Sequence, residues 1–126
     1  MSKWVLDSSA VLAVMLREKG HENVKDRFPE SSISTVNLAE VLSKLTERDQ
    51  LTEEDIQNFE NLEIEIVAFD TKQAQKAAEL RPLTKHLGLS LGDRSCLALA
   101  IQLDATAVTA DKAWKKIKFC AVDLIR

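Results

Sequence analysis

The chain has 126 residues, 45% hydrophobic and 29% charged, with a formal net charge of −3, the balance of a single globular domain and not of a disordered or fibrous chain. No apolar run approaches the roughly 20 residues that cross a bilayer, and the N-terminal apolar stretch ends too soon for a secretory leader. Cys96 and Cys120 lack zinc-ligand spacing, and His21 and His86 lack partners, so the expectation is free thiols in a reducing cytoplasm. A net −3 argues against nucleic-acid binding, but the charge is uneven: residues 1–70 carry seven Lys/Arg against fifteen Asp/Glu, residues 71–126 ten against five. That asymmetry marks either a polyanion partner or a merely solvated helix end and strand edge at Lys115, Lys116 and Lys118.

In chain order, Lys3 to Leu6 reads as a short strand ending in Asp7. Ser8 and Ser9 can cap a helix through Ala10 to Leu16, which Gly20 breaks. A shorter polar helix is expected from about His21 to Arg27, ended by Phe28-Pro29, and Ser32-Ile33-Ser34 is a weak strand. Thr35 then caps a helix with Leu38, Val41, Leu42 and Leu45 at three- and four-residue spacing. Thr52 with Asp55 starts another, to about Leu62, and Glu63 to Val67 alternates as a strand. Asp70-Thr71 opens a helix that Pro82 kinks or ends. The segment Leu89 to Ala100 follows, entirely apolar from Cys96 to Ile101, which predicts a helix buried all round. Strand Ala107–Thr109, a short helix from Asp111 to about Lys116 and a last strand from Ile117 to Val122 complete the chain. Helices alternating with short apolar strands predict a mainly parallel sheet covered by helices on both faces, in one domain.

Ligands of such sheets bind beyond the carboxyl ends of the strands. Asp7 follows the first strand, Asp111 follows the fourth, and Asp93 heads the buried helix. Each also fits a cap: Ser90-x-x-Asp93 has the form of a capping box, and Asp7 and Asp111 each precede a helix. Taken together, three acids at element junctions facing one edge predict a site in which Asp93 is a ligand and capping is left to Ser90. Clustered carboxylates raise each other's pKa unless a cation neutralises them. An oxygen-only set without His or Cys suits Mg²⁺ or Mn²⁺ and metal-assisted phosphoryl chemistry. Glu40 lies opposite the apolar stripe of its helix, so periodicity assigns it to solvent.

Four stretches resemble the PIN-domain family, and within it the VapC toxins of toxin–antitoxin pairs: Val5 to Ala10, Asn37 to Leu45, Leu89-Ser90-Leu91-Gly92-Asp93-Arg94 with Cys96 to Ala100, and Thr109 to Trp114. The resemblance spans the chain from Lys3 to the last strand. It implies a three-layer α/β/α domain and a Mg²⁺- or Mn²⁺-dependent endoribonuclease with Asp7, Glu40, Asp93 and Asp111 as its acidic site. Asp7, Asp93 and Asp111 would contact metal, Glu40 would bind a second ion or act through water, and Ser9 and Thr109 would support the pocket. Arg94 stands beside it, either as a phosphate or partner contact or as a plain surface arginine. A VapB-like antitoxin, a homodimer and an RNA substrate, often transfer RNA, are implied likewise. Met15, Leu16 and Phe59 are the apolar candidates for a dimer face, with core packing the expected fate of each. The alternative is a catalytically silent PIN-like interaction module. A phosphatase is disfavoured because Ser9, not an aspartate, stands two residues after Asp7, and a receiver domain because the acids are spread along the chain.

Overall fold

A computed structural model describes residues 2–49 and 51–126. Five strands, β1 (Trp4–Leu6), β2 (Ser31–Ser34), β3 (Glu65–Val67), β4 (Thr106–Thr109) and β5 (Val122–Leu124), form one sheet in the order β3-β2-β1-β4-β5. Every neighbouring pair is parallel. Parallel neighbours cannot be joined by a hairpin, so each connection crosses over through α1 (Ser8–Met15), α2 (Thr35–Glu47), α3 (Glu53–Glu60), α4 (Thr71–Glu79), α5 (Arg81–Thr84), α6 (Leu91–Leu103) or short 3-10 turns.

The pleat of β1 sends successive side chains to opposite faces. Leu6 packs with Val11, Ile33, Val41 and Val108 on one side. Val5 packs with Cys96, Leu97, Leu99, Ala107 and Trp114 on the other. Two cores on one sheet make the three α/β/α layers. Helix α6 is buried from Ser95 to Ala100, as its unbroken apolar run requires. Phe59 is core, and Met15 and Leu16 pack partly buried against it, so the candidate dimer residues serve the monomer. Cys96 is buried and Cys120 half-buried, both free, and burial pushes both thiols up. Among the described residues no helix is long and apolar enough to cross a membrane.

Several element ends differ from expectation. The last strand is Val122–Leu124, not Ile117–Val122, because the chain needs residues 117–121 to return to the starting edge of the sheet before pairing with β4. The helix expected over His21 to Arg27 is two 3-10 turns, His21–Asn23 and Lys25–Glu30, with Pro29 inside the second. Helix α2 is capped by Ser34, whose Oγ accepts from the Val36 N–H, and not by Thr35. Helix α1 begins at Ser8 itself, with Asp7 in the cap position.

Candidate active site

The chain turns from β1 to β2 on one side and later crosses to β4 on the other, which makes the β1/β4 boundary the topological switch point where such sheets open a crevice. Asp7 sits there, 3% exposed. Although it holds the cap position of α1, its side chain makes no cap hydrogen bond. Its Oδ2 accepts instead from the Ser9 hydroxyl at 2.6 Å and the Thr109 hydroxyl at 2.9 Å. Its Oδ1 is buried without a partner. Burial raises its pKa to about 6; the two hydroxyls oppose the rise, and the charges of Asp93 and Glu40 add to it.

Those hydroxyls also lace the two strand ends together. Ser9 Oγ accepts from the Ala110 N–H at 2.9 Å, and Thr109 Oγ1 from the Asp111 N–H at 3.1 Å. The carboxylate of Asp111 leans back on its own turn, where Oδ1 accepts from the Ala113 N–H at 2.9 Å.

At the head of α6 the capping box is complete. Asp93 Oδ2 accepts from the Ser90 N–H at 2.8 Å, and the Asp93 N–H donates to Ser90 Oγ at 3.2 Å. Capping therefore involves Asp93 as well as Ser90, contrary to the expectation that Ser90 would act alone. Burial pushes the Asp93 carboxyl up, the Ser90 hydrogen bonds oppose this, and the Asp111 charge adds to it. Arg94 is half-buried, and its Nη1 donates to the Ala77 carbonyl at 2.9 Å, tying α6 to α4. That tie uses one N–H of the guanidinium, and its Nε is buried without a hydrogen-bond partner.

Glu40 departs most from its periodicity. It is half-buried, and its Oε1 accepts from Asn37 Nδ2 at 2.9 Å. The same Nδ2 donates to the Gly92 carbonyl at 2.9 Å, so Asn37 pins α2 to the head of α6. Gly92 leaves the room: a Cβ there would lie 2.6 Å from Glu40 Cδ. Asn37 is fully buried and was missed as a site residue. Its signal was a polar side chain one turn before Val41, on the stripe that faces the core.

Each of the four acids thus spends one carboxylate oxygen on an anchoring hydrogen bond, and among the described residues its second oxygen has no hydrogen-bond partner. The side chains are gathered at one edge but not closed on a point: among the described residues no three acidic, His or Cys side chains stand close enough to hold an ion. The donor set still fits a hard divalent cation, because the buried, unpartnered Oδ1 of Asp7 calls for a positive partner.

A family model described as "PIN domain" matches residues 4–119. The chain belongs to the PIN-domain family. No curated protein matches it. Among solved structures, the PIN domain is similar to a toxin–antitoxin complex from Klebsiella pneumoniae at 18% identity and a TM-score of 0.75, covering 97% of each chain. It is similar to DNA-bound VapBC from Salmonella typhimurium at 17% identity and a TM-score of 0.75, covering 100% of each. A third neighbour is VapBC2 from Rickettsia felis bound to a promoter DNA fragment, at 23% identity, a TM-score of 0.68 and 96% and 97% coverage. At these identities the likeness is one of fold.

Proposed function

We propose that this PIN domain is a metal-dependent endoribonuclease, the toxin of a VapBC-type toxin–antitoxin pair. The observation that carries the reading is the set of four carboxylates, each anchored through one oxygen and unpartnered at the other, around the buried Asp7. Asp7, Asp93 and Asp111 would hold Mg²⁺ or Mn²⁺, with Glu40 reaching a second ion or acting through water. When bound, such a cation supplies charge stabilisation to the phosphoryl oxygens and a hydroxide equivalent near neutral pH.

The residues of the chain do the positioning. Ser9 and Thr109 fix the orientation of Asp7, much as hydrogen bonds to metal ligands do elsewhere. The Ser90–Asp93 box sets the α6 head, and Asn37 holds Glu40 against it. The buried surroundings strengthen the Thr109–Asp7 and Asn37–Gly92 hydrogen bonds. The partner is a VapB-like antitoxin, in keeping with the complexes in which the neighbouring folds were solved, and the active unit is a homodimer.

The test is cleavage of labelled single-stranded RNA by purified protein, with Mn²⁺ uptake followed by calorimetry. Cleavage should require Mg²⁺ or Mn²⁺ and stop in EDTA. Asp7→Asn should lower the rate by more than the roughly 10–100-fold that loss of a supporting hydrogen bond costs. Undiminished cleavage and unchanged Mn²⁺ uptake in Asp7→Asn would overturn the reading. A wild type that neither cleaves RNA nor takes up Mn²⁺ would leave the interaction module in its place.

A further inference from the structure

The geometry points to a track for single-stranded RNA along the β4–β5 crossover, formed by Lys112, Lys115, Lys116 and Lys118 and ending at Phe119. This inference rests on the nuclease reading and extends it from the acidic pocket to the path of the substrate backbone.

The topology creates the path. Strands β4 and β5 are parallel neighbours, so the chain leaving Thr109 at the site edge must travel back to the opposite edge before Val122. The first residue of importance on that path is Asp111, whose Oδ1 caps the 3-10 turn Lys112–Lys116. The site and the turn are therefore covalently continuous. Five residues of 3-10 helix rise roughly 10 Å. Trp114 is fully buried and Ile117 is 9% exposed, which pins the inner side of the crossover in the core. Lys112, Lys115, Lys116 and Lys118 are all exposed.

The charge of these lysines is uncompensated. None of the four has an ion pair among the described residues; Lys19, Lys25, Lys72 and Lys85 have none either, but the four of the track stand together within seven residues of chain. In a chain of net charge −3, such a local excess concentrates a polyanion where bulk charge would repel it. The acidic pocket needs that help, since four carboxylates oppose the approach of a phosphodiester. Lysines are point-charge phosphate contacts that hold a backbone in register without reading sequence. Phe119, 37% exposed and next to Lys118, supplies a ring on which an unpaired base can stack. An exposed aromatic at the end of a basic track favours single-stranded RNA over an acidic peptide.

The test measures RNA binding by the full chain in EDTA, where nothing is cleaved, as a function of KCl concentration. The variant K112Q/K115Q/K116Q/K118Q should lower the slope of log K against log salt by about 3, at roughly 0.7 per lost phosphate contact on a single strand. A charge-matched control, K3Q/K19Q/K25Q/K72Q, removes exposed lysines elsewhere and should leave the slope unchanged. Phe119→Ala should weaken single-stranded RNA binding at constant slope and leave duplex RNA unaffected. In turnover, the track variant should raise KM while keeping kcat and Mn²⁺ uptake. Single-lysine variants, each lowering the slope by about 0.7, guard against misfolding of the fourfold one. A wild-type slope and KM in the track variant, or an equal loss in the control, overturns the track while RNA cleavage by the wild type stands. Loss of binding to polyglutamate but not to RNA overturns the RNA assignment. Failure of Mn²⁺ uptake speaks against the nuclease reading alone.

Discussion

Ionising Asp7 costs the fold stability. Its carboxyl titrates near 6 instead of the ordinary 3.8, so in metal-free protein the folded state keeps a proton that the unfolded chain has released. Stability is therefore greatest below about pH 4 for this group and falls as pH rises through about 6, by about 3 kcal/mol in all. Asp7→Asn abolishes this titration. Melts in EDTA should show the variant at least as stable as wild type above about pH 6.5, with the advantage gone by about pH 4. A variant less stable than wild type at neutral pH would make Asp7 a structural residue. Gly92 offers the complementary experiment. A Cβ there meets the far end of the flexible Glu40 side chain, so Gly92→Ala should displace that carboxylate and leave α6 intact. Helix propensity favours alanine by up to about 1 kcal/mol. The expected result is an unchanged or slightly higher Tm with cleavage reduced about 10–100-fold, and full activity would show that Glu40 is not needed where it stands. Asp7 was legible from its position after a strand, but Glu40 was not. A helical wheel knows the face turned to the core and cannot know that the head of α6, held by Asn37 at the edge of that face, comes up against Glu40 on the flank beside it.

Helix α6 carries two functions in its first turn, and substitutions can separate them. Ser90→Ala removes the hydroxyl that accepts from the Asp93 N–H and should cost about 1 kcal/mol of stability. Asp93→Asn keeps a side-chain oxygen able to accept from the Ser90 N–H, so denaturant titration should find it within about 1 kcal/mol of wild type. Cleavage should respond in the opposite order, nearly retained in Ser90→Ala and lost in Asp93→Asn. Parallel losses of stability and activity in both would reduce Asp93 to a cap. The elements with strong local chemistry were the legible ones: Ser90 and Asp93 before an apolar run give α6, and Thr52 with Asp55 gives α3 through a capping box of the same form. The illegible ones depend on distant partners. Residues 117–121 alternate too weakly to show that they must cross an edge before β5 can begin. The polar segment His21 to Glu30 winds into 3-10 turns that connect α1 to β2.

At the scale of the whole molecule, alternation of helices and short strands was enough to give a parallel three-layer sheet. The order β3-β2-β1-β4-β5 was not, because it follows from which crossover buries which face. That order brings together acids from four remote segments, after β1, on α2, at the head of α6 and after β4. An ion bridging them would oppose separation of the entire fold and not the fraying of one helix. Binding to the native state alone stabilises by mass action, about 2.7 kcal/mol when the free ion stands at 100 times its Kd. For a domain of this length that is about 10 °C in Tm. Saturating Mn²⁺ should therefore move the wild-type melt upward by about that amount as a single cooperative transition. The shift should largely vanish in Asp7→Asn and survive in full in K112Q/K115Q/K116Q/K118Q, whose lysines lie outside the carboxylate set. An equal shift in Asp7→Asn would place the ion elsewhere. A shift split into two transitions would mean that the four segments do not unfold as one unit.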